Sequence, residues 1–422
     1  MRRVFEADKV LDGTGTALDK GAILVDDDRI TAVGRQADIG RPEGAEVVVA
    51  PSGGTLIPGL IDAHVHLACG GAPGRGAILA EGMDQSYAEV AFRAAGRARE
   101  SLCHGITTLR DMAAPGGAII DLAQAIAQGD LVGPRIVACG RGLTVTGGHM
   151  DAPLPAHVSM ASARAPCDGT DGFRKGVRTE ARRGASFIKI NACASRHDRA
   201  GTWWRPEMSS VEIAAACDEA HAQGMTVAAH TSGGPPLNET VANGVDCVEH
   251  AYWIDDACIE LMAERGTFLV PTLLVNERSF EMPLELQGLS RPPPWSVAAR
   301  QAKWCSLEKA RKGGIRVGAG TDAGRTLPHA TMFWRELALL VQGGYTPGEA
   351  LVCATGVNAD ILEIEAGRLV PGRLADLVIV QGDPSINVEI LGDATRLSVW
   401  KGGVHVASGG KLTTVWPEGP VA

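Results

Sequence analysis

No stretch of this 422-residue chain approaches the roughly 20 uninterrupted apolar residues that a membrane-spanning helix needs, so no membrane partner is expected. A basic surplus is missing as well. The formal net charge is −9 at pH 7, and an acidic surface suits neither nucleic acid nor an anionic membrane. The ten cysteines include no C-x-x-C pair and no cluster, which argues against a disulfide framework. Several, such as Cys139 and Cys247, sit in apolar runs where a thiol behaves as a small hydrophobe. Reduced thiols in a cytoplasmic protein are therefore expected. The opening MRRVFEADKVLDGTG is charged and has no apolar stretch, so no signal peptide is expected. No G-x-G-x-x-G follows a strand pattern, which leaves a doubly wound dinucleotide-binding sheet unsupported.

What is present is ordinary globular composition, with 45% hydrophobic and 21% charged residues. The length suits one large domain plus a smaller one. Residues 1–57 hold short β-type runs (VFEADKVL, GAILVDDDRITAVG, EVVVAPSGGTLI) broken by Gly and Asp turns, and residues 367–407 do the same. Neither end buries a core alone, so residues 1–57 and 361–422 are expected to form one small β-sandwich. Residues 58–360 alternate apolar runs (GLIDAHVHL, GITTLRDM, PRIVACG, SFIKI, TVAAH, DCVEH, FLVPT, RVGAGTDAG) with amphipathic stretches at 85–103, 209–223, 256–265 and 297–312. Eight such repeats match an α/β fold of the (β/α)₈ TIM-barrel type.

In such a barrel the active site gathers at the C-terminal ends of the strands. His64 and His66 end the first strand pattern, Lys189 lies in the fourth, His230 ends the fifth, His250 ends the sixth, and Asp322 follows the eighth. The spacing of two turns both rings of His64-x-His66 to the same side, where they can chelate one ion or simply pack together. Lys189 in SFIKI is flanked by apolar residues. A buried ammonium needs a carboxylate partner, a depressed pKa or chemical conversion to a carbamate. Asp322 in GAGTDAG lies where backbones come close to a ligand, and a carboxylate there can bind metal and carry a proton.

PGLIDAHVHL, FIKI, the two strand-end histidines and GTDAG resemble, in order and spacing, the amidohydrolase superfamily, over almost the whole chain. GITTLRDM, GPRI, TGGH and GVDCVEHAYWIDD resemble its imidazolonepropionase-related branch, with its Xaa-Pro dipeptidases, carboxypeptidases and ochratoxin-type amidases. The resemblance implies two divalent cations, zinc by preference, bridged by carboxylated Lys189 and a hydroxide. His64, His66 and Asp322 would hold one ion, His230 and His250 the other, and Asp322 would shuttle the proton. It also implies assembly into homo-oligomers.

Relatives often carry Tyr or His where this chain has Ser232, two residues after His230, and a Gly-rich turn where this chain has NACASRHDRAGTWWRPEM. Both departures weaken the expectation of a dipeptide carboxylate. His149 in TGGHMD is a candidate substrate contact or an exposed turn residue. Tyr252 and Arg325 are further candidates, as are Trp203 and Trp204, which stand out where aromatics make up 4% of the chain. The loop 192–208 is long enough to act as a lid. The leading expectation is hydrolysis of a small amide, N-acyl amino acid, aryl amide or dipeptide. A carbamate or urea hydrolase, a cyclic-amide hydrolase or deaminase, and a non-catalytic barrel are the alternatives.

Overall fold

The computed structural model describes residues 1–71, 85–149, 151, 162–193, 205–283, 294–324 and 326–413. The central strands are short apolar runs buried along their length, as parallel strands covered on both faces must be. Arg135–Ala138, Ile106–Asp111 and Leu60–Val65 pair in parallel as one sheet. Arg164–Pro166, Gly142–Thr144, Ile188–Asn191, Val227–Gly233, Cys247–Trp253 and Phe268–Val270 form a second, also parallel.

Two of the expected strands take a different form. The third is broken, because Arg135–Ala138 and Gly142–Thr144 belong to different sheets. The break passes through Gly140 at φ +72, where an added Cβ would lie 2.4 Å from the Glu180 carboxylate. That carboxylate instead accepts the Arg141 backbone N–H at 3.1 Å, so glycine is required there. RVGAGTDAG is not an extended strand. It joins the two sheets through isolated parallel bridges, Leu269 with Val317 and Val65 with Ala323.

Helices follow most of the strands. Three of them start at capping boxes, Ser86 with Glu89, Ser209 with Glu212 and Thr346 with Glu349, which satisfy backbone donors that would otherwise be orphaned. Their apolar faces bury Val90, Ala94, Leu102, Ile213 and Ala216 against Leu60, Ile106, Ile188 and Val227 of the strands.

The two ends of the chain meet. Strands Lys9–Leu11, Ala17–Asp19 and Thr55–Pro58 share a seven-stranded sheet with Leu377–Val380, Leu397–Lys401, Val404–Ser408 and Lys411–Leu412. A four-stranded sheet from Arg2–Glu6, Gly21–Asp26, Arg29–Arg35 and Glu46–Val49 accompanies it, with Phe5 set edge-on against Trp400 at 4.9 Å. All ten cysteines are free thiols. Among the described residues, no helix is long and apolar enough to cross a membrane.

Candidate metal centre

Backbone pairing brings the last segment onto the first strand. Asp322 N–H donates to the His64 carbonyl and His66 N–H to the Ala323 carbonyl, each at 2.8 Å. The Asp322 Oδ1 then lies 3.1 Å from His66 Nε2 and 3.6 Å from His64 Nε2. The approach explains the glycines of GAGTDAG. A Cβ on Gly324 would sit 2.3 Å from the His66 carbonyl, and one on Gly320 2.8 Å from the His64 Cβ. Asp322 itself adopts φ +57, a left-handed conformation that Asp tolerates better than most side chains. Asp62 ties the same segments together, accepting from Thr321 N–H at 3.0 Å, Thr321 Oγ1 at 2.6 Å and His64 N–H at 3.2 Å. Burial pushes the Asp62 carboxyl up to about 7.

The other histidines close around this pair. The His64 and His250 ring centroids are 4.9 Å apart, His230 and His250 4.6 Å, and His149 stacks on His230 at 4.1 Å with 16° between the planes. One side-chain donor atom from each of His64, His250 and Asp322 lies within 4.8 Å of the others, an arrangement that can hold a cation. His250 and Ala251 sit at φ +73 and +44, backbone strain of the kind that persists where surrounding structure imposes it. Burial holds the His64 and His250 imidazoles well below their usual pKa, so they are neutral and able to ligate.

Lys189 is 2% exposed, and its Nζ finds no hydrogen-bond partner among the described residues. Burial lowers its pKa to about 8 against the opposing pull of Glu249. Neutral imidazoles, a converging carboxylate and an orphaned buried amine fit a site for divalent cations.

Several supporting residues escaped the sequence reading. Glu249 is fully buried, with Oε2 2.7 Å from His64 Nδ1, while its Oε1 meets the Arg110 guanidinium. Arg110 Nε also donates to the Ala63 carbonyl at 2.7 Å. Thr272 Oγ1 lies 2.7 Å from His250 Nδ1. A histidine that ligates metal through one nitrogen needs its other nitrogen held in this way. The signal for two of these was a charge inside an apolar strand pattern, Glu249 in DCVEH and Arg110 in ITTLRD.

Of the substrate-contact candidates, His149 stands at the site, its backbone N–H held by Glu207 at 2.7 Å. Ser232 is buried beside Cys193, whose thiol burial pushes up to about 11 while Ser232 pulls it down. Tyr252 presents its ring to Lys303 Nζ, 4.6 Å from the centroid. Trp203, Trp204 and Arg325 lie outside the described residues, as do positions 194–204 of the expected lid.

Residues 55–410 match the amidohydrolase family. Ochratoxinase of Aspergillus niger is 30% identical over 424 residues, spanning 95% of this chain and 85% of its own length. Its crystal structure superposes with a TM-score of 0.84 at 26% identity, covering 99% of both chains. A Xaa-Pro dipeptidase with methionine bound in its active site gives 0.82 at 26% identity, over 96% of this chain and 99% of its own. A prolidase complexed with N-methylphosphonate-L-proline gives 0.80 at 29% identity, over 98% and 100%.

Proposed function

Because the chain belongs to the amidohydrolase family and is a hydrolase acting on C–N bonds, we propose that it cleaves a small amide or peptide bond at a binuclear metal centre. The observation that carries this reading is the convergence of His64, His250 and Asp322 donor atoms within 4.8 Å, beside a buried Lys189 amine with no hydrogen-bond partner among the described residues. On this reading residues 58–360 form a closed (β/α)₈ barrel, and residues 1–57 and 361–422 form the β-sandwich.

His64, His66 and Asp322 would hold one divalent cation and His230 and His250 the second, with zinc the preferred ion. Lys189, carboxylated by CO₂ to an anionic carbamate, would supply a ligand to both. Bound there, such cations would lower the pKa of water and polarise a carbonyl. The chain's own groups do the rest. Asp322 takes a proton from the attacking water as the C–O bond forms, then returns it to the departing nitrogen as the C–N bond breaks. Glu249 and Thr272 orient the His64 and His250 rings, and His149 contacts the carbonyl side of the substrate. The substrate class is an N-acyl amino acid, aryl amide or dipeptide, in keeping with what the ochratoxinase and prolidase relatives are named for.

The test is elemental analysis of protein grown with zinc and bicarbonate, alongside Lys189→Ala and a screen of N-acyl amino acids and dipeptides. About two ions per chain, falling in the variant together with hydrolysis, is the expected result. One ion or none, unchanged in the variant, would overturn the bridged centre.

A further inference from the structure

We propose that a cavity at the N-terminal ends of the parallel strands binds a small monocarboxylate on Arg110, and that its occupancy raises cation affinity at the metal centre through Glu249 and His64. The second half of the proposal rests on the metal-centre reading, and the first half does not.

The cavity measures about 320 Å³ and is lined by Val227, Cys247 and Phe268, each the first residue of its strand. His230 and His250 stand three residues further along two of these strands. Arg110 lines the cavity too, although it comes from the other parallel sheet, near the end of Ile106–Asp111. Its guanidinium reaches Cys247, with Nη2 3.5 Å from Sγ, and its Cζ lies 5.3 Å from the Phe187 ring centroid. The residue is 2% exposed. Nε and Nη2 serve the Ala63 carbonyl, the Cys247 thiol and Glu249, but Nη1 donates to none of the described residues. A guanidinium carries five N–H donors, and leaving part of a buried one without an acceptor is costly.

The other charged groups of the cavity indicate what that acceptor is. Asp246 accepts the Val227 N–H at 2.7 Å and lies 2.8 Å from His221 Nε2. Asp360 takes both prongs of the Arg368 guanidinium at 2.8 Å. Two of the three lining carboxylates are thus already partnered, and the third, Glu363, is exposed. Arg265, also exposed, is hydrogen-bonded to none of the described residues. Open donors therefore belong to the two arginines, which calls for an anion. Glu363 disfavours a dianion, while Val227, Val245, Phe268 and Ile361 suit a short apolar tail. A small monocarboxylate meets all of these conditions.

Arg110 also gives the cavity a route to the metal centre. Glu249 meets the Arg110 guanidinium with Oε1, and its Oε2 lies 2.7 Å from His64 Nδ1. A carboxylate accepting from Nη1 takes up part of the positive charge that Glu249 now faces alone. Glu249 then acts more strongly on the His64 imidazole and raises its basicity as a ligand. Carboxylate and cation binding therefore reinforce each other, each by the same factor.

The test is calorimetric titration of full-length protein, stripped of metal with a chelator, with isobutyrate. One isobutyrate per chain with a Kd of about 1 mM or tighter is expected. The neutral isostere isobutyramide and inorganic phosphate should bind far more weakly. Thr226→Phe, which fills the cavity from its wall, should abolish binding, and Arg265→Gln should weaken it about 2–5-fold. Cobalt(II) titration followed by absorption should then show about 5-fold or more tighter uptake with isobutyrate present, an effect lost in Thr226→Phe.

No isobutyrate uptake by the metal-free protein overturns the proposal, as does equal affinity for isobutyramide or phosphate. Unchanged binding in Thr226→Phe places the anion elsewhere and overturns it equally. If that variant does not fold, unchanged binding in Arg265→Gln has the same force. A cobalt effect that persists in Thr226→Phe is a direct action of the carboxylate on the metal and overturns the coupling. A protein that binds isobutyrate but no cobalt overturns the metal-centre reading and leaves the carboxylate site standing.

Discussion

Glu249 and His64 stand 185 positions apart in sequence on strands that are not neighbours, yet Oε2 and Nδ1 meet at 2.7 Å. The carboxylate faces Arg110 on its other oxygen, so one fully buried glutamate both orients a proposed ligand and neutralises a buried guanidinium. Glu249→Gln keeps a hydrogen-bond acceptor for His64 and removes the charge. Cation affinity should fall by about 10-fold or more. Stability should fall by about 3–5 kcal/mol, because Arg110 is left buried and uncompensated. Replacing both residues with methionine should restore most of the stability but not the affinity. Denaturant titration and cobalt titration read the two effects separately.

Lys189 carries the opposite signature, a buried amine with no hydrogen-bond partner among the described residues. Methionine at this position removes a desolvated amine and keeps the volume. The metal-free Lys189→Met protein should unfold at higher denaturant, by about 1–4 kcal/mol, while hydrolysis and cation bridging are lost. A variant less stable than metal-free wild type would show that the amine is well compensated in the fold.

His149 stacks on His230, with ring centroids 4.1 Å apart. His149→Phe preserves the stack and deletes both ring nitrogens. The expected outcome is a loss in kcat/KM of about 100-fold or more with metal content unchanged. Loss of an ion in this variant would instead make His149 a ligand.

Far from the site, Lys401 Nζ donates to the Gly133 carbonyl at 2.8 Å. Burial, helped by the nearby Arg135 and opposed by Asp376, lowers its pKa from 10.5 to about 8. Below pH 8 the ammonium is charged in both folded and unfolded chains, and the full burial penalty is present. Between pH 8 and 10.5 the unfolded chain binds more protons, so this group's contribution to stability rises with pH. Lys401→Met should therefore gain its largest advantage over wild type, or suffer its smallest loss, at neutral pH. Urea midpoints of both proteins from pH 7.5 to 10 test this, and a gap that does not change with pH would refute it.

The site was legible in the sequence to the extent that single residues carried it. His64-x-His66, His230, His250 and Asp322 each end or follow an apolar run, and the structure brings these five together, with Lys189 near enough to act electrostatically on His64 and His250. The alternation of apolar runs and amphipathic stretches likewise matched the parallel α/β arrangement, because strand and helix periodicities are local properties. The break in the third strand and the bridged, non-extended GAGTDAG segment were less visible. Glycine there serves close approaches to Glu180, His64 and His66, and nothing local reports those neighbours.

The amino-acid order by itself determined which groups could ligate and which runs would be buried, since residue type and hydrophobic period need no partner to be read. Only the tertiary structure decided how those groups are held. Thr272 reaches His250 from a turn that follows it, Lys303 holds the Thr272 carbonyl from a helix, Glu249 reaches His64 across the interior, and Asp62 binds the first strand to Thr321. These contacts exist only once distant segments have packed. Directional hydrogen bonds depend on positions in space within a few tenths of an ångström, and residue spacing along the chain carries no such information.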